Sequence, residues 1–475
     1  MVDVDDVDSR KKINPGRKLA VLFWYDMHFR STITVVFLFV LSLALIALKN
    51  SSSTGKKIAG NAPTTAGLRI SGNKAVAVVN MCPAPGCDHF SLNMESIEFE
   101  EQIENLASKN GEVSINFASV TLTSNRESNT NQDRAFIVSP FQPTPETKPG
   151  HENNFIVGIF DGHMDLGHLV AEHARNSFAP FLAKRLDLNS HKPLTRELMH
   201  NLLKQTFLEV DRSIPRHLAS LGGCTASVGV RLGNVVYIAN AGDSRTMIMA
   251  HDKSNQNPSM KDFLIYANRV DKPHLPEERT RIESKGGKVD IPTPPDPPEW
   301  SRVIYFSTAK NENISLGMSR SMGDGESTMV GVTPEPIVES FSIIELRENA
   351  RQILIESLEQ EDNLSPKQKE NLYHLQQPTQ PSSQNLHEPD ENQRGKTEVL
   401  TEQLEFYIVS ASDGLTDARR PAFMAKHFGE SLYSNINPKH PIVACKELIE
   451  LAMPPSYDPP LYRDDITVSF IKIID

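Results

Sequence analysis

The sequence predicts an α+β domain whose strands are mostly neighbours along the chain. Two features of the pattern point that way. From Val113 onward, short apolar runs bounded by turn residues alternate with longer stretches whose apolar residues recur at helical spacing. Several of the short runs also end in an aspartate, or begin just after one, which fixes carboxylates at strand tips.

The elements follow in chain order. Residues 1–30 form a polar N-terminal segment. Ser31–Leu48 carries no charge and is apolar except for Ser31, Thr32, Thr34 and Ser42. As a helix it is about 27 Å long, enough to cross a bilayer core. Phe23, Trp24 and Tyr25 stand just before it, as interfacial aromatics often do. A single membrane-spanning helix at 31–48 is the expectation. Lys11, Lys12, Arg17, Lys18 and Arg30 before it outnumber Lys49, Lys56 and Lys57 after it, which favours a cytoplasmic N-terminus. Residues 49–111 read as a linker, in which Cys82 and Cys87 would pair only in an oxidising compartment.

The folded region is expected over 112–475. Phe136–Val138, Phe155–Phe160, Ala226–Val230, Val235–Ala239, Phe406–Ser410 and Ile466–Ile473 read as strands. Leu169–Leu186 reads as a helix, with apolar or small residues at 170, 171, 174, 178 and 182, and Thr195–Val210 as a second. Phe341–Glu405 differs in holding 13 acidic and 6 basic residues. Ile343–Leu358 has the spacing of one amphipathic helix. Gln376–Lys396 is too polar to offset the entropy of ordering it. An acidic, partly disordered insertion is therefore expected at about 345–403.

The 475-residue chain has a formal net charge of −11 and a pI near 5.8. It lacks the basic footprint of a nucleic-acid-binding protein, and no nucleic-acid partner is expected. Four cysteines exclude a disulfide scaffold. Cys224 and Cys445 lie in or beside apolar stretches and read as core.

The chemistry is carried by aspartates. The run 155–160 leads straight into Asp161-Gly162-His163. The run 235–241 leads into Gly242-Asp243-Ser244-Arg245, and 406–412 into Asp413-Gly414. Asp464-Asp465 precedes the last strand. Any one Asp-Gly pair reads as a turn. Several at one edge of a sheet sandwich would make a carboxylate cluster, which repels itself unless cations occupy it. Hard oxygen donors point to Mg²⁺ or Mn²⁺, not zinc.

The order of these blocks resembles the metal-dependent Ser/Thr protein phosphatases, the protein phosphatase 2C family. The blocks are Asn131-Gln-Asp133-Arg, Phe160-Asp-Gly-His163, Gly223-Cys-Thr-Ala226 and Ala241-Gly-Asp-Ser-Arg245. Then come Pro276-Glu-Glu-Arg-Thr-Arg-Ile282 with Gly286-Gly287, and Trp300-Ser-Arg-Val303. Leu316-Gly-Met-Ser-Arg-Ser-Met-Gly-Asp324, Ser412-Asp-Gly-Leu415 and Arg463-Asp-Asp-Ile-Thr467 complete the order. The resemblance covers about 113–475 apart from the insertion. It implies an antiparallel β-sandwich flanked by helices, in four α-β-β-α layers. It also implies Mg²⁺ or Mn²⁺, two per site with a third, looser ion, and direct attack on phosphoserine or phosphothreonine by a bridging metal hydroxide.

By the same resemblance Asp161 would bridge the metals and the Gly162 carbonyl would bind the second. Asp324 and Asp464 would complete the first site. Asp133 would hold a metal-bound water, and Asp243 corresponds to the third ion. Asp413 would hold a water or brace the site. His163 corresponds to the general acid; its alternative is a hydrogen bond to a neighbouring carboxylate. Phosphoproteins are the implied substrates, and a monomeric catalytic domain on the cytosolic side is expected, against the five-to-three charge balance around 31–48.

The chain departs from the family pattern at several points. Met164-Asp165 stand where two glycines are usual, Gln132 where an acid is usual, and Asp465 where Asn is usual. The phosphate-gripping Arg is Ser128 here, and Arg126 is two residues off. These departures leave a second expectation, a membrane-tethered pseudophosphatase that binds phosphoprotein without turnover.

Overall fold

The computed structural model describes residues 117–122, 130–141, 153–254, 257, 259–376, 403–434, 439–452 and 464–474. The segments 1–30, 31–48 and 49–111, with Arg126, lie outside the described residues. Among the described residues no helix is long and apolar enough to cross a membrane.

Sixteen strands are described. They are β1 (Phe117–Leu122), β2 (Arg134–Val138), β3 (Phe155–Phe160), β4 (Gly162–Met164), β5 (Gly222–Cys224), β6 (Ala226–Leu232), β7 (Val235–Ala241) and β8 (Arg245–Asp252), then β9 (Asp262–Ala267), β10 (Lys288–Asp290), β11 (Arg302–Ser307), β12 (Glu312–Leu316), β13 (Met322–Gly323), β14 (Ile337–Ser342), β15 (Leu404–Ala411) and β16 (Ile466–Ile473). The helices are α1 (Gly167–Leu188), α2 (Arg196–Ser213), α3 (Arg216–Ala219), α4 (Pro276–Ser284), α5 (Ile343–Glu359), α6 (Pro366–Gln376), α7 (Asp413–Thr416), α8 (Pro421–Leu432) and α9 (Pro441–Ala452).

Two five-stranded antiparallel sheets, ordered β1-β16-β15-β8-β9 and β14-β7-β6-β3-β2, form the sandwich. Strand alternation makes its layers, because successive side chains point to opposite faces. On β3, Phe155 and Val157 join Val236, Ile238, Ile248, Phe406 and Ile408 between the sheets. Ile156 and Phe160 of the same strand point outward, to Val170, Phe178 and Leu182 of α1 and Leu203 and Phe207 of α2. On β15, Tyr407 and Val409 face Met424, Phe428, Leu448 and Ile449 of α8 and α9. The layers are therefore helix, sheet, sheet, helix, as the family resemblance implied. Cys224 and Cys445 are buried and unpaired.

Two smaller units complete the fold. The β10-β11-β12 sheet and α4 share a core of Ile282, Val303, Tyr305, Ile314 and Leu316, against which Met164 also packs. Helix α5 opens on a capping box, in which the Ser342 hydroxyl accepts from the Glu345 amide and the Glu345 side chain accepts from the Ser342 amide. Its Leu346, Ala350, Leu354 and Leu358 belong to the core between the sheets. The segment read as an insertion thus begins with a helix that closes one side of the sandwich. Residues 377–402 lie outside the described residues.

Candidate metal centre

Antiparallel register gathers the aspartates. Arg134 pairs with Phe160 across β2 and β3, which puts Asp133 and Asp161 at one end. Ala226 pairs with Ala241 across β6 and β7, carrying Asp243 to the same end. Ala411 pairs with Arg245 on β8 and with Val468 on β16, so Asp413 and Asp464 arrive there on the other sheet. Buried hydroxyls staple the sheets together at this end. Ser227 on β6 meets Thr246 on β8 at 2.8 Å, and Thr246 meets Ser410 on β15 at 2.9 Å.

Asp324 reaches the cluster from the small β13-β5-β4 sheet. It has a left-handed backbone, φ 46°, and follows Gly323 at φ 78°. It lies so close over Gly223 that a Cβ there would come within 2.2 Å of its carboxylate. Gly162 is equally confined, because a Cβ would meet the Gly167 carbonyl at 2.6 Å and the Gln132 carbonyl at 2.7 Å.

Asp133, Asp243 and Asp324 are each held through one carboxylate oxygen and have no hydrogen-bond partner at the other. Ser412 Oγ donates to Asp133 Oδ2 at 2.7 Å, and Ser412 is in turn fixed by the Thr467 amide at 2.9 Å. Ser321 Oγ donates to Asp324 Oδ2 at 2.7 Å, and His163 Nε2 meets the same oxygen at 2.7 Å. The Asp161 amide donates to Thr225 Oγ1 at 3.1 Å. Asp133 Oδ1, Asp243 Oδ1, Asp324 Oδ1 and His163 Nδ1 are buried with no hydrogen-bond partner. Such groups are rare in folded proteins, and those of Asp133 and Asp324 leave carboxylate oxygens open to a ligand.

The electrostatics agree. Burial, then the neighbouring Asp465 charge, pushes Asp133 up to about 7. Asp161 rises well above the carboxylate range through burial and the charges of Asp133, Asp413, Asp464 and Asp243. Asp413 rises through burial and the charges of Asp243, Asp417 and Asp464. Burial lowers His163, but the charge and hydrogen bond of Asp324 outweigh it and the net shift is upward.

Among the described residues no three His, Cys, Asp or Glu side chains converge as they stand on a point able to hold an ion. Asp324 is turned onto His163, Asp133 onto Ser412, and Asp243 onto Lys272. The donor set nonetheless suits a hard divalent cation: carboxylate oxygens, several of them orphaned, in a site that repels itself.

Of the expected residues, Asp133, Asp161, Gly162, His163, Asp243, Asp324, Asp413 and Asp464 stand at this end, and Arg126 lies outside the described residues. His163 makes the carboxylate hydrogen bond that was its alternative role. Three carboxylate partners were missed in the sequence. Ser412 and Ser321 sit in quoted blocks, where only the aspartates drew notice. Lys272 follows β9 with no local signal, because its contact is made across the fold. The departures are tied down too. Met164 has φ 65° where a glycine is usual, and Asp165 pairs with Lys310 on the β11–β12 hairpin at 3.2 Å. Asp465 accepts the Gln132 amide at 2.9 Å.

Residues 120–355 match the model of the family described as protein phosphatase 2C. The chain is 31% identical over 219 residues to probable protein phosphatase 2C 73 of Arabidopsis thaliana, covering 42% of this chain and 53% of that one. It is 31% identical over 211 residues to protein phosphatase 2C homolog 2 of Hypocrea jecorina, covering 43% and 40%. It thus spans about half the length of the curated relatives it matches. A crystal structure of serine-threonine phosphatase 2C from Toxoplasma gondii aligns at TM-score 0.49 and 15% identity, covering 75% of this chain and 94% of that one. Over residues 120–355, just under half of the chain, the sequence is thus similar to the protein phosphatase 2C family.

Proposed function

We propose that this chain hydrolyses phosphoserine and phosphothreonine in proteins, with two Mg²⁺ or Mn²⁺ ions held by Asp133, Asp161, the Gly162 carbonyl, Asp324 and Asp464. The observation that carries this reading is the set of buried, orphaned carboxylate oxygens at one end of the sandwich. Bound there, the cations would lower the pKa of an attacking water and stabilise charge on the phosphoryl oxygens.

The chain's own residues supply position and protons. The Ser412–Asp133 and Ser321–Asp324 hydrogen bonds fix two carboxylates before anything binds. Asp413 opens α7 directly after its strand and would hold a metal-bound water or brace the site. His163, oriented at Nε2 by Asp324 and without a partner at Nδ1, is suited to hold the proton that the leaving seryl or threonyl oxygen needs. Attachment to a membrane through Ser31–Leu48, with the domain on the cytosolic side, belongs to the same reading and is supported by the sequence alone.

The test is phosphate release by the full chain from p-nitrophenyl phosphate and from a phosphothreonine peptide, with Mn²⁺, Mg²⁺ or EDTA, beside Asp161→Asn. Metal-dependent turnover absent from the variant is expected. A folded protein that binds Mn²⁺ yet turns over neither substrate would favour the binding module. That second reading draws on the left-handed Met164 and the Asp165–Lys310 bridge, which alter the loop after His163.

A further inference from the structure

The corner of the cluster at Asp243 already contains a cation. Lys272 lies in the loop after β9, and that loop is stitched to the turn carrying Asp243. The Asp271 amide donates to the Gly242 carbonyl at 2.9 Å, and the Gly242 amide donates back to Asp271 Oδ2 at 3.0 Å. The Asp271 carbonyl accepts from the Ser319 amide at 2.8 Å and from Ser319 Oγ at 3.0 Å. The main chain just before Lys272 therefore has little freedom. Its ammonium pairs with Asp243 Oδ2, and the two side chains are only 12% and 3% exposed.

The surrounding charges keep the ammonium in place. The negative charges of Asp243, Asp417 and Asp413 all act on it. Arg245 is the other cation whose field includes Asp417 and Asp243. A divalent ion entering here would have to displace the ammonium from Asp243 and then remain beside it, in a partly buried setting where like charges repel strongly.

We propose that Lys272 is the resident cation of the Asp243 corner and excludes a third divalent ion, so that the centre takes two. The inference rests on the metal-centre reading above. It replaces the third ion that the resemblance assigned to Asp243 with a residue of the chain itself.

The test counts ions. Mn²⁺ bound per full chain is measured by equilibrium dialysis and by the Mn²⁺ electron paramagnetic resonance signal, for wild type, Lys272→Met, Lys272→Arg and Asp243→Asn. Two ions are expected for wild type and Lys272→Arg, and a gain of one for Lys272→Met that is lost again in Lys272→Met/Asp243→Asn. Asp243→Asn alone should leave the count at two. That arm decides the matter even if Lys272→Met fails to fold. Three ions on the wild type, loss of one ion in Asp243→Asn, or no gain in folded Lys272→Met would each overturn the inference and leave the phosphatase reading standing. No bound Mn²⁺ on folded wild type would overturn both.

Discussion

Two buried acidic regions in this molecule have opposite electrostatics. At Glu278 on α4, a fully buried carboxylate accepts from Arg281 at 2.7 Å, Arg320 at 2.7 Å, Arg269 at 2.9 Å and Ser319 Oγ at 2.6 Å. Burial would raise its pKa, but these donors overcome that and pull it down to about 2. At the sandwich end, Asp133, Asp161 and Asp413 are pushed upward by burial and then by neighbours that are themselves carboxylates. A buried charge with partners inside the chain is structural. The cluster left short of partners is the one to which the proposed function assigns cations.

The largest expected effect breaks the comparison at its functional side. Asp161→Asn should reduce the proposed phosphatase activity to the assay background. The loss should exceed the roughly 100-fold upper end for removing an outer partner of a metal ligand. In EDTA the same variant should keep or raise its melting temperature, since it removes one member of a self-repelling set. A marked drop in melting temperature would mean that Asp161 is structural.

Glu278→Gln tests the other region, and stability should fall by about 3–5 kcal/mol in urea titration, because three guanidinium groups lose their shared charge. The pH dependence has a definite sign. The folded pKa of about 2 lies below the ordinary 4.5, so the Glu278 contribution is fully present above about pH 4.5 and is lost as pH falls towards 2. The urea midpoint of the wild type should decline through that window, and Glu278→Gln should lack that share of the decline.

Leu354→Ala, in α5, should cost about 2–5 kcal/mol if the helix is part of the core between the sheets. A negligible cost would return α5 to the status of a dispensable insertion. The smallest expected effect is that of Asp165→Ala. Its carboxylate is 61% exposed, so loss of the Lys310 pair should change stability by less than about 1 kcal/mol. A substantial rise in KM for the phosphopeptide, with p-nitrophenyl phosphate unaffected, would show that the bridge acts on substrate access instead.

Much of the fold was legible because the period-2 and period-3.6 patterns are strong. Phe155–Phe160 and Ile466–Ile473 form strands over the ranges expected, and the helices expected at Leu169–Leu186 and Thr195–Val210 extend by only a few residues. β8 was passed over although it is a central strand, because Arg245–Asp252 mixes charged and apolar residues without clean alternation. The strand-tip aspartates were legible because rigid apolar runs lead directly into them.

The sequence by itself determined which carboxylates the chain has to offer and that each is anchored at the end of a strand or tight turn. Only the tertiary structure decided what each one faces. Antiparallel registers between strands far apart in sequence put six aspartates at one end of the sandwich. The same packing set Lys272 on Asp243, Ser412 on Asp133 and His163 on Asp324. Those pairings join residues 29, 279 and 161 positions apart, and no local pattern encodes a contact across such distances. Local propensity acts over a turn or two of chain, whereas the charge balance of a buried site depends on whatever the whole fold brings within a few ångströms.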